Sequence, residues 1–264
     1  IIALLLSILL PALTSVKDKA KAVVCVSNLR QWDIILKFFA NDHEDKFPDA
    51  DMDDDGHNEP RGQWWFLPLR PYYIKQPDIL ICPKAQIKQD INSSAAWVGD
   101  GRYPPIPSTP SNQSKRDECW GRRIIKSGHP DQGKWMWSSY APNGWIMDPK
   151  DGTWGSPIAD RTFYWGKFND IPQPSRVPIF LDCRHVDSWP HHTDEPDSAE
   201  LANDGKGWMG AFTLLRHGKA INGVFGDSSG RKILLKELWK LKWHRGFNTS
   251  NYYSDEANLP GWMR

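Results

Sequence analysis

The sequence predicts an α+β protein: a long N-terminal α-helix, kinked near Pro11, packed on an antiparallel β-sheet head that carries a large loop insertion. Three observations lead there. The first 13 residues, IIALLLSILLPAL, carry no charge. Behind them, apolar residues recur with the period of a helix. Short apolar runs bounded by turn residues are then concentrated late in the chain, as strands are.

The helix comes first. At about 1.5 Å per residue the apolar run through Val16 covers about 24 Å, short of the ~20 residues a bilayer span requires. The run starts without Met, and the expectation is that a few further apolar residues upstream complete the span. A secretory signal peptide is the plain alternative, but no basic region opens the run and no small-x-small cleavage site follows it. Instead Cys25, Leu29, Trp32, Leu36 and Phe39 recur at spacings of four, three, four and three, lining one helical face. Lys17, Lys19, Lys21, Arg30, Asp33 and Lys37 lie off that line. One helix is therefore expected to about Ala40, with Pro11 as a hinge because proline removes a backbone donor and clashes with the preceding turn. Residues 1–16 form its hydrophobic half and 17–45 its amphipathic half, ahead of a head spanning 46–264. An all-round apolar helix must be buried in lipid or against copies of itself. Ile1, Ile2, Leu4, Leu5, Leu6, Ile8, Leu9, Leu10 and Leu13, with Pro11 among them, are thus the candidate assembly surface.

In the head, strands are expected at 78–82, 177–182, 211–215, 220–225 and 231–234, with turns at 217–219 and 227–230. Residues 235–244 read as a short helix with Leu238, Leu241 and Trp239 inward. From 97 to 174 the chain is mostly Pro, Gly, Trp and polar residues, which reads as an elaborated loop region. Basic and acidic residues nearly cancel, 33 against 32, so no overall field favours nucleic acid. Fifteen Trp beside 21 Pro and 20 Gly suggest ordered loops pinned by aromatic anchors, a style of extracellular proteins.

Four cysteines fit an oxidising location, and sequence alone allows three pairings. The pairs Cys25–Cys82 and Cys119–Cys183 are expected, the first bolting the sheet to the helix and the second stapling the insertion. Each would close a loop of roughly 55 to 65 residues and contribute about 3 to 4 kcal/mol. Four buried thiols, or a zinc site, are the alternatives. No C-x2-C pair supports zinc through four cysteines.

The sharpest chemical motif is acidic. Asp51, Asp53, Asp55 and Glu59 fall at positions 1, 3, 5 and 9 of an EF-hand-like loop, Gly56 supplies the turn at position 6, and the His57 carbonyl stands at position 7. Alternating oxygen ligands suit calcium, the cofactor this loop implies; no organic cofactor is expected. Position 12 is Gly62, so the closing ligand must come from Asp49, solvent or elsewhere. A solvated acidic turn is the competing reading, although crowded carboxylates repel unless a cation sits among them. A second cluster, Asp182, His185, Asp187, His191, His192, Asp194 and Glu195, reads first as a polar loop after a strand, and second as a metal or acid/base site.

Several residues together carry a family resemblance. IIALLLSILLPAL followed by KDKAKAVVCVSNLRQW, and the stretch from Arg216 to Asp227 with nine residues between His217 and Asp227, are the main ones. In order between and after them come Asn28, Trp32, Phe47-Pro48, Pro71-Tyr72, Cys82-Pro83, Ser139-Tyr140, Asn143-Gly144-Trp145 and the run 238–244. The chain resembles type IV pilin-like proteins and type II secretion pseudopilins. More narrowly, it is similar to the bacterial group that joins a prepilin-type helix to a C-terminal His, nine residues, Asp-Gly motif. Ser228 stands where that motif has its Gly. The resemblance implies a non-catalytic subunit, held in the inner membrane, trimmed by a prepilin peptidase and passed by the assembly machinery into a homopolymeric filament. That filament is a periplasmic pseudopilus or a cell-surface fibre. His217 and Asp227 would then serve a turn and a hydrogen bond across a hairpin. A different class of function competes: an anchored or secreted carbohydrate-binding or carbohydrate-hydrolysing protein, with exposed Trp on sugar rings and Asp182 and Asp187 as the carboxylate pair.

Overall fold

The computed structural model describes residues 2–48, 65–85, 119–123, 135–147, 160–197 and 207–264. Helix α1 (Ile2–Asp42) runs without a break through Pro11, and α2 (Phe66–Tyr73) packs beside its second half. β1 (Trp120–Arg123) and β2 (Trp135–Ser138) form an antiparallel pair. β3 (Tyr140–Pro142), β4 (Pro178–Asp182), β5 (Ala220–Phe225) and β6 (Gly230–Leu234) form a second sheet in that order, every neighbour antiparallel. The chain is α+β, with a long N-terminal helix and an antiparallel four-stranded sheet.

α1 lies across β4, β5 and β6 through the face its periodicity marks. Cys25, Leu29, Trp32, Leu36 and Phe39 are all buried. Trp32 stacks on Phe180 of β4 with ring centroids 4.9 Å apart, and meets Trp65 edge-on at 5.3 Å. Contact is tight enough that a Cβ on Gly230 would come within 2.9 Å of Val26 Cγ1, so a side chain there would lift the helix from β6. β4 and β5 are buried at every residue, including Asp182 and Asn222, which is why neither shows the polar alternation of a half-exposed strand. Asp33 departs from the polar face assigned to it: it is buried, and Lys37 one turn on reaches its carboxylate at 3.1 Å.

Other expectations need correction. Residues 78–82 are not a strand; Pro77–Leu80 is a 3-10 turn. The carbonyls a strand would offer a neighbour are taken by side chains: Trp32 Nε1 donates to Ile79 O at 3.0 Å, Asn28 Nδ2 to Asp78 O at 3.3 Å, and Ser138 Oγ to Leu80 O at 2.6 Å. Residues 211–215 likewise give way to a 3-10 segment at Trp208–Phe212, where Arg184 Nε binds Gly210 O at 3.0 Å. The expected helix at 235–244 is a 3-10 segment, Leu235–Lys240, with Leu238 and Trp239 buried. The region 97–174 holds β1, β2 and β3, the last an edge strand of the main sheet. Residues 136–147 are buried on all sides, so no polar alternation betrays them.

Candidate functional site

Two features distinguish the molecule. The first is the free half of α1. Every residue from 9 to 20 is exposed, including Leu9 (63%), Leu10 (58%), Leu13 (58%) and Val16 (62%); Lys21 and Ala22 are half-buried, and Cys25 is the first fully buried residue after them. Pro11 is in the same exposed stretch, while Ile2, Leu4, Leu5, Leu6 and Ile8 stand on the same helix. Ile1 lies outside the described residues. Between this half-helix and the sheet runs a groove of about 1070 Å³, bordered by Pro11, Val23 and Val26 on the helix and by His217, Asn222 and Lys232 opposite. Among the described residues, no helix is long and apolar enough to cross a membrane.

The second feature is a buried polar cluster where α1 enters the head. Asp182, the last residue of β4, is fully buried and accepts from four sides. Arg216 Nη1 lies 3.0 Å from its Oδ1, the Asn222 backbone N–H donates to Oδ2 at 2.8 Å, His217 Nε2 is 3.3 Å from Oδ2, and Cys25 Sγ approaches at 3.5 Å. Cys82 Sγ is 3.3 Å from the same His217 Nε2 and receives the Lys84 backbone N–H at 3.4 Å. The thiols of Cys25 and Cys82, the Asp182 carboxylate and the His217 ring thus offer ligand atoms all within 4.8 Å of one another, and all four residues are buried. Tyr140 and Asn28 complete the wall, Asn28 Nδ2 reaching Tyr140 Oη at 3.5 Å.

Electrostatics in this cluster is a contest between burial and neighbours. Burial favours the neutral Asp182, but the His217 hydrogen bond and the Arg216 charge win and hold the carboxyl below its ordinary range. Burial also opposes charge on His217, yet Asp182 and Cys82 raise it to about 9. Cys82 is pushed up by burial and drawn down further by Cys25, His217 and Arg216, to about 6. Cys25 goes the other way, raised mainly by burial.

No disulfide joins the four cysteines, so the expected Cys25–Cys82 and Cys119–Cys183 bonds are both corrected. The first pair is brought together, but its sulfurs are turned to Asp182 and His217 rather than bonded to each other. His217 and Asp227 do not meet across a hairpin. They stand before and after β5, and Asp227 Oδ1 instead accepts from Ser229 N at 3.0 Å within the β5–β6 turn. Asp51, Asp53, Asp55, His57 and Glu59 lie outside the described residues. The second acidic cluster is divided. His185 pairs with Asp187, Asp194 accepts the backbone N–H groups of His191 and Met209, and His191 and His192 gather around His244. Each tryptophan whose burial is described is buried or half-buried, and of the expected carboxylate pair Asp182 is sealed from solvent and Asp187 is 5% exposed.

Sequence reasoning gave no site role to Arg216, Asn222, Asn28 or Tyr140, although all four fall in the stretches that carry the resemblance. Their meeting around Asp182, Cys82 and His217 is set by tertiary placement. No family model, curated protein or solved structure matches this chain.

Proposed function

We propose that this protein is a structural subunit of a type IV pilus-like filament or type II secretion pseudopilus, polymerising through the first half of α1. The observation that carries the reading is the division of one unbroken helix: buried against the sheet from Cys25 onward, exposed at every position from 9 to 20. An isolated globule gains nothing from displaying Leu9, Leu10, Leu13 and Val16 on such an arm. Burying each of them against a neighbouring copy would contribute roughly 1.5–3 kcal/mol per fully covered side chain. The groove beside the arm offers a place for the equivalent helix of a second copy, its helical wall apolar at Val23 and Val26.

On this reading the subunit waits in the inner membrane, is processed by a prepilin peptidase and is delivered by a secretion or pilus machinery. The head stays outside the filament core, and the acidic loop 51–59 is its calcium site. Immunogold negative-stain microscopy of surface-sheared material tests the proposal. Labelled regular fibres support it; label confined to free single copies overturns it.

A further inference from the structure

We infer that Cys25, Cys82, Asp182 and His217 form a four-coordinate site for a divalent transition metal, zinc by its donor set, at the point where the stalk helix joins the head. The inference is independent of whether the chain polymerises.

Distances carry it first. Zinc bonds of about 2.3 Å to sulfur and about 2.0–2.2 Å to nitrogen or oxygen, set at tetrahedral angles, place an N–O pair about 3.3 Å apart and an S–N or S–O pair about 3.5 Å apart. Here the His217 Nε2 to Asp182 Oδ2 separation is 3.3 Å, Cys25 Sγ to Asp182 Oδ2 is 3.5 Å, and Cys82 Sγ to His217 Nε2 is 3.3 Å. The N–O separation is also longer than the ~2.7–2.9 Å of a direct charge-assisted hydrogen bond.

Convergence carries it second. In a Cys-His-Asp catalytic arrangement the thiol and the carboxylate engage opposite ring nitrogens, so that the acid orients the base. In this cluster the sulfur and the carboxylate both face Nε2, and Nδ1 has no hydrogen-bond partner. One N–H cannot point at two acceptors, whereas one metal ion can lie among all of them. With Nε2 on the metal, the imidazole proton resides on Nδ1.

Charge carries it third. Two thiolates and one carboxylate hold three negative charges, which a divalent ion and the buried Arg216 guanidinium together neutralise, as a site without solvent requires. Arg216 occupies Asp182 Oδ1, and Oδ2, which also accepts the Asn222 N–H, keeps a second lone pair for the ion. The Lys84 N–H donated to Cys82 Sγ supports a thiolate ligand in the way outer partners of metal sites do. Two thiol protons leave when the ion enters. The mixed sulfur, nitrogen and oxygen set with four protein ligands is that of a closed structural zinc site. Its ligands come from α1, from the segment after Pro77–Leu80, from β4 and from the turn before β5, so the ion would rivet the helix to the sheet.

The test uses the full chain in detergent, purified without chelator. Elemental analysis should find roughly one equivalent of zinc per chain. Exchange with cobalt(II) should give the intense visible bands of a tetrahedral centre with thiolate charge transfer in the near ultraviolet. His217→Gln and Cys82→Ser should weaken metal binding by at least about 100-fold, while Cys183→Ser should bind as the unaltered chain does. Should the ligand variants fail to fold, the metal content and cobalt spectrum of the unaltered chain decide. A metal-free chain with no cobalt signature overturns the inference, as does a Cys25–Cys82 disulfide found by mass spectrometry. Neither result bears on fibre formation.

Discussion

Cys25, on α1, sets its sulfur 3.5 Å from the carboxylate of Asp182 at the end of β4. That contact lies where the exposed arm ends and the packed helix begins, and it faces a carboxylate buried with Arg216. The stability of this junction follows from how that charge is kept satisfied.

Replacing Arg216 with Met removes the cation beside Asp182 but leaves the carboxylate buried. Breaking one side of a buried pair costs about 3–5 kcal/mol, more than deleting both sides. Urea denaturation of the full chain in excess chelator, so that no metal binding enters the comparison, should show a loss of that size for Arg216→Met, and a smaller loss for the double variant that also carries Asp182→Leu. A single-variant loss under about 1 kcal/mol would mean the charge finds another partner.

Ser228 adopts φ 65° in the β5–β6 turn. Side chains other than glycine are strained in that left-handed region by roughly 1–2 kcal/mol. Ser228→Gly should therefore raise the melting temperature, gaining somewhat less than this because glycine is more flexible when unfolded. A lowered melting temperature would show that the Lys37 to Ser228 hydrogen bond outweighs the strain.

His244 is fully buried among Trp145, Phe163 and Phe247, with neither ring nitrogen hydrogen-bonded. Burial, then the neighbouring His191 and His192, push it down to about 3. The unfolded chain takes up a proton near the ordinary histidine value of about 6.5, which the folded chain refuses. Stability is thus full above about pH 6.5 and lost as pH falls toward 3. His244→Phe, which keeps the ring packing, should be more stabilising at pH 5 than at pH 8. Equal effects at both values would contradict the assignment. Asp194, raised to about 6 by burial, acts with the opposite sign between its ordinary value and 6, but is common to both chains and cancels in the comparison.

Calcium should raise the melting temperature through the 51–59 loop, and Asp53→Asn with Asp55→Asn should abolish that response while leaving bound zinc in place. A melting temperature indifferent to added calcium would remove the loop from the account.

The helix was legible because its buried face repeats without exception from Cys25 to Phe39, and periodicity is a local property. The central strands were legible as short, mostly apolar runs bounded by turn residues, which is also a local property. What escaped was decided by distant partners. Residues 78–82 have strand-like composition, yet side chains of α1 and Ser138 claim their carbonyls. β3 is hidden in a stretch with no polar face to give a period. The site was half legible. His217 and the closeness of Cys25 to Cys82 were anticipated, but Asp182 was grouped with the histidines that follow it in sequence. It turns instead to α1 and to the turn before β5. The two ends of the motif also have separate physical reasons, a buried ligand cluster at His217 and turn chemistry at Asp227 and Ser228.

The exposed arm is the centre of the account, and diluting detergent away from the purified full chain tests it most directly. Sedimentation, followed by microscopy of the pellet, should show the unaltered chain assembling into regular fibres as detergent falls. A chain carrying Leu9→Asp and Leu13→Asp, with an unchanged circular dichroism spectrum, should stay in solution as single copies. An unaltered chain that remains monodisperse without detergent, or an arm variant that forms the same fibres, would contradict it.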